Sequence, residues 1–231
     1  MKTHKRPLPR FAVSIALIVF SAFAISAKPS TTPPQTTEKI FNLADFGPVG
    51  NGVADDAPAL QKALDALATA GGGTLNIPAG SYRIATTVKK DFSSTPGAKV
   101  TIRGVPSTKM PAPVTAGGNQ LAEGLNLTSR IIPATGKDFI ALQITNLQQL
   151  LIEHVDFSGN PSAENDALLT LYFADINQAT IRHCEFYGLS SLYGGNIVRA
   201  VRSELSVELS VFLGSTANSG TYSPVVENLD W

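Results

Sequence analysis

Residues 41–84 read FNLADFGPVGNGVADDAPALQKALDALATAGGGTLNIPAGSYRI, and the order of parts within this stretch decides the fold. Ile40 to Leu43 is a short apolar strand. Asp45-Phe46-Gly47 and Gly50-Asn51-Gly52 are turns, because Gly and Asn tolerate positive φ. Asp55 and Asp56 precede Ala57-Pro58, where an Asp caps a helix and a Pro is tolerated in the first turn. Leu60, Ala63, Leu64 and Leu67 keep the i, i+3, i+4, i+7 spacing of one helix face. Gly71-Gly72-Gly73 ends the helix. Thr74 to Ile77 and Ser81 to Ile84 are strands either side of a Pro78-Ala79-Gly80 turn. The helix has a single apolar face and needs a large apolar body to cover it. Asp45, Asp55 and Asp56 have structural work here, capping the helix and tying the turn, ahead of any catalytic role.

The body that follows is repetitive. IEHVDFSG at 152–159 matches IRHCEFYG at 181–188, and both match VELSVFLG at 207–214. Within each step the Ile or Val, the Phe and the Gly keep a common offset. Upstream, Ile140, Leu142, Ile144 and Leu147 correspond to Leu169, Leu171, Phe173 and Ile176. A third copy, Ile197, Val198 and Val201, needs a one-residue shift. Such a unit cannot bury its apolar face alone, so copies stack into one continuous core. Residues 140–214 have little helical periodicity, which discards a βαβ alternation. Val100 to Ile102 and Ser129 to Pro133 are further strands, and 106–124 is a turn-rich excursion. In the stacked reading Ile152 and Ile181 point in, while Glu153 and Arg182 form an exposed pair. His154 stacks on His183, and Asp156 and Glu185 stack on the outside.

Composition narrows the classes. The 231 residues hold 18 Lys+Arg and 18 Asp+Glu, so nothing suggests an electrostatic fit to nucleic acid. Gly (19) and Pro (15) suit turn-rich β structure better than a helical bundle. The lone Cys184 excludes an intramolecular disulfide and a Cys-rich metal site, and reads as a small buried apolar residue. Lys2, Lys5, Arg6 and Arg10 precede an uncharged run, FAVSIALIVFSAFAISA, at 11–27. A basic start, an apolar middle and Ala22-Phe23-Ala24 make residues 1–27 a signal peptide, with an uncleaved anchor as the alternative. The mature chain is then secreted or periplasmic and free of the membrane. Residues 28–39 (KPSTTPPQTTEK) read as a disordered linker, and 40–231 as one domain. Asn126-Leu127-Thr128 is a glycosylation sequon, relevant only in a eukaryotic secretory pathway.

The pattern D-F-G-x-x-G-N-G-x-x-D-D, a helix, then G-G-G-x-x-x-x-P-x-G-x-Y resembles the N-terminal signature of the pectate-lyase-like superfamily, which includes rhamnogalacturonase-like hydrolases, mannuronan epimerases and tailspikes. Asn51 stands where many members have Asp. The resemblance implies an all-β, right-handed parallel β-helix with an N-terminal capping α-helix. It also implies further coils, so the chain reads as truncated at its C-terminus. The expected partner is an acidic polysaccharide such as pectin or alginate. The expected activity is that of a polysaccharide lyase or glycoside hydrolase, with a non-catalytic binding or adhesin-like β-helix, or an inactive fragment, as the alternative. A lyase would remove the proton next to the uronate carboxylate and stabilise the enolate with Ca²⁺ or Arg, for which Arg182 and Arg199 are the nearest residues. The chain lacks Asn-Thr-Asp, Gly-Asp-Asp and Gly-His-Gly, as well as the Tyr-Gly-Phe-Asp-Pro-His string of the epimerases.

Candidate catalytic residues are therefore read from chemistry alone. Asp156 and Glu185 are neighbouring carboxylates that can share a proton or bind Ca²⁺. Glu164 and Asp166 lie in a loop of the kind that builds a solenoid cleft. Hydrolysis needs two carboxylates at a set separation. Tyr187 and Tyr193 are candidates for stacking on sugar rings. His154 and His183 are possible acid/base groups, with a purely structural stack as the plainer reading. The triple glycine follows a helix instead of opening one, so it is no phosphate cradle.

Overall fold

The computed structural model describes residues 38–108, 125–134, 140–158, 169–187, 198–213 and 226–229, with backbone alone at Leu169, Tyr187, 211–213 and Glu227. The expected signal peptide, most of the linker, and Glu164, Asp166 and Tyr193 lie outside these residues. In chain order come β1 (Ile40–Asn42), a 3-10 turn (Leu43–Phe46), β2 (Asn51–Asp55), α1 (Ala57–Ala70), β3 (Gly72–Asn76), β4 (Gly80–Ile84), β5 (Val88–Asp91) and β6 (Lys99–Arg103). Then follow β7 (Ser129–Pro133), β8 (Ile140–Glu153), β9 (Asp156–Ser158), β10 (Leu169–Arg182), β11 (Glu185–Tyr187), β12 (Val198–Val201), β13 (Leu205–Glu208), β14 (Val211–Leu213) and β15 (Val226–Leu229).

Every pairing between these strands is parallel, and together they make three faces of a coil. The first face runs β5, the first half of β8, the first half of β10, β12 and β15. The second runs β1, β3, β6, the second halves of β8 and β10, then β13. The third runs β2, β4, β7, β9, β11 and β14. This is the parallel β-helix, right-handed as parallel crossovers are.

The repeat explains the register. Leu142 pairs with Leu171 and Ile152 with Ile181, at the offset read from the sequence. Their side chains, with Ile144, Phe173, Val198 and Ala200, are buried in the shared core. Phe157 and Phe186 stack with ring centroids 5.1 Å apart. Cys184 is fully buried, and burial pushes its thiol up to about 12. The one-residue shift of the third copy has a location. Ala174 pairs with Val201, whereas Ala179 pairs with Leu205, a partner one position nearer along the chain. The residue is lost at the corner between β12 and β13. That is why β8 and β10 each run on for 14 residues and the third copy breaks in two.

The corners are single residues held at positive φ. Asn146, Asp175 and Arg202 (φ 62°, 55° and 47°) turn the chain from the first face to the second. His154, His183 and Leu209 (φ 58°, 50° and 45°) turn it from the second to the third. Asn and Asp visit this region most readily, which suits the first two corners.

Helix α1 closes the N-terminal end, with Leu60, Ala63, Leu64 and Leu67 buried against the core. Gly71 ends it at φ 81°, its N–H bonded to Ala68 O at 3.0 Å. The capping work expected of Asp55 and Asp56 is divided differently. Asp56 occupies the cap position, but its side chain makes no capping bond. Its buried carboxylate turns back to accept the N–H groups of Val49 (2.6 Å) and Gly50 (3.2 Å). Asp55 serves the helix start instead, accepting from Ala57 N at 3.1 Å and also from Ala85 N at 3.0 Å. The coil also begins before residue 40. Lys39 O accepts from Thr74 N at 2.8 Å, and Lys39 Nζ donates to Ala70 O at 3.2 Å.

Candidate functional site

Asp156 and Glu185 are in register on the third face, as the repeat implies, with Arg130 on the other side of Asp156. They do not stand open to solvent. Asp156 is only 2% exposed. Arg130 Nε donates to its Oδ2 at 2.6 Å, and Ser158 Oγ donates to its Oδ1. Glu185 is half-buried. Burial, then the charge of Asp156, raises its carboxyl above the ordinary value. This pair supplies no calcium site: both oxygens of Asp156 are committed, and calcium takes six to eight oxygen ligands. Among the described residues no three His, Cys, Asp or Glu side chains are grouped to hold a metal.

Arg182 lies on the second face, away from that pair. Arg103, Glu153, Arg182 and Glu208 follow one another in register there, a column of alternating charge. The exposed Glu153–Arg182 pair read from the sequence is corrected in one respect, since Glu153 is only 4% exposed. Arg103 Nε and an Arg182 terminal nitrogen each donate to it at 2.6 Å, one to each oxygen. Burial alone would raise the Glu153 carboxyl, but the two guanidinium groups outweigh it and hold the group below its ordinary value. Arg182 is thereby committed to Glu153, which weakens it as an enolate-stabilising group.

His154 and His183 do stack, with ring centroids 5.0 Å apart and planes 5° from parallel. They stand at the corner between the second and third faces, where positive φ fixes their direction. Burial, opposed by Glu153 and helped by the neighbouring His183, lowers the His154 pKa. The backbone of Tyr187 pairs with Ser158 on the third face.

The first face brings Arg199, the other arginine named for the enolate, together with three residues that the sequence reading passed over. Lys89, Gln143, Tyr172 and Arg199 are in register on four successive strands. Three of them alternate with buried neighbours: Leu142 and Ile144 flank Gln143, Leu171 and Phe173 flank Tyr172, and Val198 and Ala200 flank Arg199, while Lys89 follows buried Val88. The four therefore line the outer surface of the face, spaced by one strand separation of about 4.8 Å. Lys89 is exposed and the other three are half-buried. The column starts at a cation and runs through an amide and a phenol to Arg199, with Glu227 of β15 next in register, so it offers cations, an amide and a phenol along the coil axis. The signal was legible in principle, because Tyr172 follows Gln143 at the offset that the core residues keep. It was missed because outward positions carry no hydrophobic pattern. The loops expected to build a cleft, 160–166 and 193–196, lie outside the described residues.

Residues 40–108 match the family described as rhamnogalacturonase A/epimerase, pectate lyase-like. The match takes in less than a third of the chain, and over that stretch the chain is similar to this family. A mannuronan C5-epimerase of Azotobacter vinelandii is 54% identical over 48 residues, 21% of this chain and 3% of the epimerase. An alginate lyase of the same organism is 50% identical over 44 residues, 19% of this chain and 5% of the lyase. The chain thus shares a small part of the length of these relatives. Among solved structures, the Streptococcus pneumoniae surface adhesin PfbA superposes with a TM-score of 0.53 at 17% identity, covering 79% of this chain and 40% of the adhesin. That likeness concerns the fold, and it carries the β-helix architecture beyond residue 108 into the stacked coils. Among the described residues no helix is long and apolar enough to cross a membrane.

Proposed function

We propose that this chain is a secreted, carbohydrate-active β-helix that holds an acidic polysaccharide along its first face. The observation that carries this reading is the column Lys89–Gln143–Tyr172–Arg199. The ammonium and guanidinium groups neutralise uronate carboxylates, and Tyr172 offers a ring edge and a hydroxyl to the sugar between them. Net charge near zero means that this attraction is local and not a property of the whole molecule.

The chemistry favoured is removal of the proton on C5 of a uronate. The identity shared with an epimerase and a lyase supports it, because both reactions begin with that step. A base takes the proton, the electrons move onto the carboxylate, and cations such as Lys89 and Arg199 stabilise the enolate. Return of a proton to the opposite side inverts C5; departure of the O4-linked chain leaves a C4=C5 double bond. Hydrolysis is less favoured, since Asp156 is covered and tied to Arg130, which leaves the half-buried Glu185 without an open partner. Binding without turnover is the second reading. It is favoured by the absence of a histidine from the described part of the column: His154 and His183 stand at the far corner.

Incubating alginate and polygalacturonate with the protein in D₂O tests this directly. Deuterium at C5, or unsaturated chain ends, is expected. Neither signal, with binding retained, selects the binding reading, and no binding to either polymer overturns both.

A further inference from the structure

A recess lies at the corner between the first and second faces, apart from the outward column. It has a volume of about 320 Å³ and sits between the loop that joins β5 to β6 and the corners of β8 and β10. Buried Phe92 and Leu147 form its apolar floor. Its polar lining comes from Ser93, Asn146, Gln148, Asp175 and Asn177. These side chains are fixed by hydrogen bonds to one another and to their neighbours. Asn146 Nδ2 donates to Asp91 Oδ1 at 2.8 Å, and Ser93 N donates to the same oxygen at 2.9 Å. Asn177 Nδ2 donates to Gln148 Oε1 at 3.0 Å. Both Asp175 oxygens accept from Arg202 at 2.6 Å. That arrangement uses one half of each amide and leaves the Gln148 amide nitrogen and the Asn177 carbonyl oxygen as a donor and an acceptor for a ligand.

We propose that this recess is a binding site for a neutral pyranose, separate from the face that takes the acidic chain. Three observations define the ligand class. The volume is at the small end for ligand pockets, the size of one sugar ring and not of a chain. The donors and acceptors are amides and a hydroxyl set a strand separation apart on successive coils, which matches the ring's spread of hydroxyl groups. The acids nearest the recess, Asp91 and Asp175, are carboxylates. Asp91 is held below its ordinary value by the Ser93 N–H and then Asn146, so it stays ionised and repels a uronate, while Asp175 is neutralised in its pair with Arg202. The Arg202 guanidinium beside them is already spent on Asp175. The polymer this protein meets would then carry neutral sugars as well as acidic ones. This assignment stands whether or not the first face binds uronates.

Saturation-transfer NMR with methyl glycosides of glucose, galactose and rhamnose, and with galacturonate as the charged control, reads the site. At least one neutral glycoside is expected to bind, and galacturonate is expected to bind more weakly. Gln148→Ala and Asn177→Ala are each expected to weaken the neutral ligand by about three- to tenfold, the worth of a hydrogen bond. Both residues are exposed, and an unchanged melting curve confirms that the variants fold. Arg199→Ala should leave this binding unaltered while weakening polyuronate, which separates the two sites. No saturation transfer to any neutral glycoside, or transfer that survives both substitutions, overturns the proposal.

Discussion

Glu153 illustrates how a solenoid turns an outward acid into a structural one. A single strand would leave it solvated, but the coils above and below place an arginine on each side of it. Its folded pKa is depressed, so its stabilising contribution is complete above the ordinary glutamate range and is lost as pH falls through the folded value. Glu153→Gln is therefore expected to cost about 1 kcal/mol at pH 7, discounted because both arginines are partly exposed. The difference from the parent protein should shrink in acid, as followed by thermal melts from pH 7 to pH 3. Glu185 has the opposite sign. Burial and Asp156 raise its pKa, so ionising it costs the folded state as pH rises through the ordinary glutamate range. Glu185→Gln should then melt slightly higher than the parent at pH 7, by less than about 1 kcal/mol, and equally at pH 4. A lower melting point at pH 7 would mean that the charged form of Glu185 is used by the fold. The sequence named both carboxylates but not their partners, because Arg103 and Arg130 come from coils that break the clean repeat.

At the scale of elements, the helix and strands of residues 41–84 were readable because each has a local cause. Apolar spacing sets α1, and glycine at φ 81° stops it. The assignment of Asp55 and Asp56 was harder, since two adjacent acids at a helix start compete for the same N–H groups and only the neighbouring Val49–Gly50 turn decides between them. The corner after β6 shows another constraint that no periodicity reveals. A Cβ placed on Gly104 would lie 2.0 Å from the carbonyl oxygen of His154 on the adjacent coil. That backbone cannot yield as the end of a flexible side chain would, and the Ser129 Cβ crowds the same space at 2.8 Å. Gly104→Ala is thus expected to destabilise the protein by about 1–3 kcal/mol, the usual cost of forced overpacking. A denaturant titration checks it, and an unchanged midpoint would mean that the two coils are less closely spaced than described.

For the whole molecule, the repeat settled the architecture and left the chemistry open. Core residues recur at a fixed offset because every coil must refill the same interior, so the stacking of Leu142 on Leu171 and Phe157 on Phe186 was legible. Outward residues obey no such rule. Lys89, Gln143, Tyr172 and Arg199 became a group only when register aligned them, and Asp156 ceased to be an open carboxylate once its covering was visible. The central claim is that an acidic polysaccharide lies along the first face, and a titration of the intact protein with oligouronates tests it most directly. The parent protein should bind, more weakly as salt rises. Lys89→Ala combined with Arg199→Ala should reduce affinity by about tenfold or more, since roughly 1.4 kcal/mol is lost with two carboxylate contacts. Arg103→Ala, on the second face, should leave affinity as it was. Equal binding by the parent and the Lys89/Arg199 variant would contradict the account.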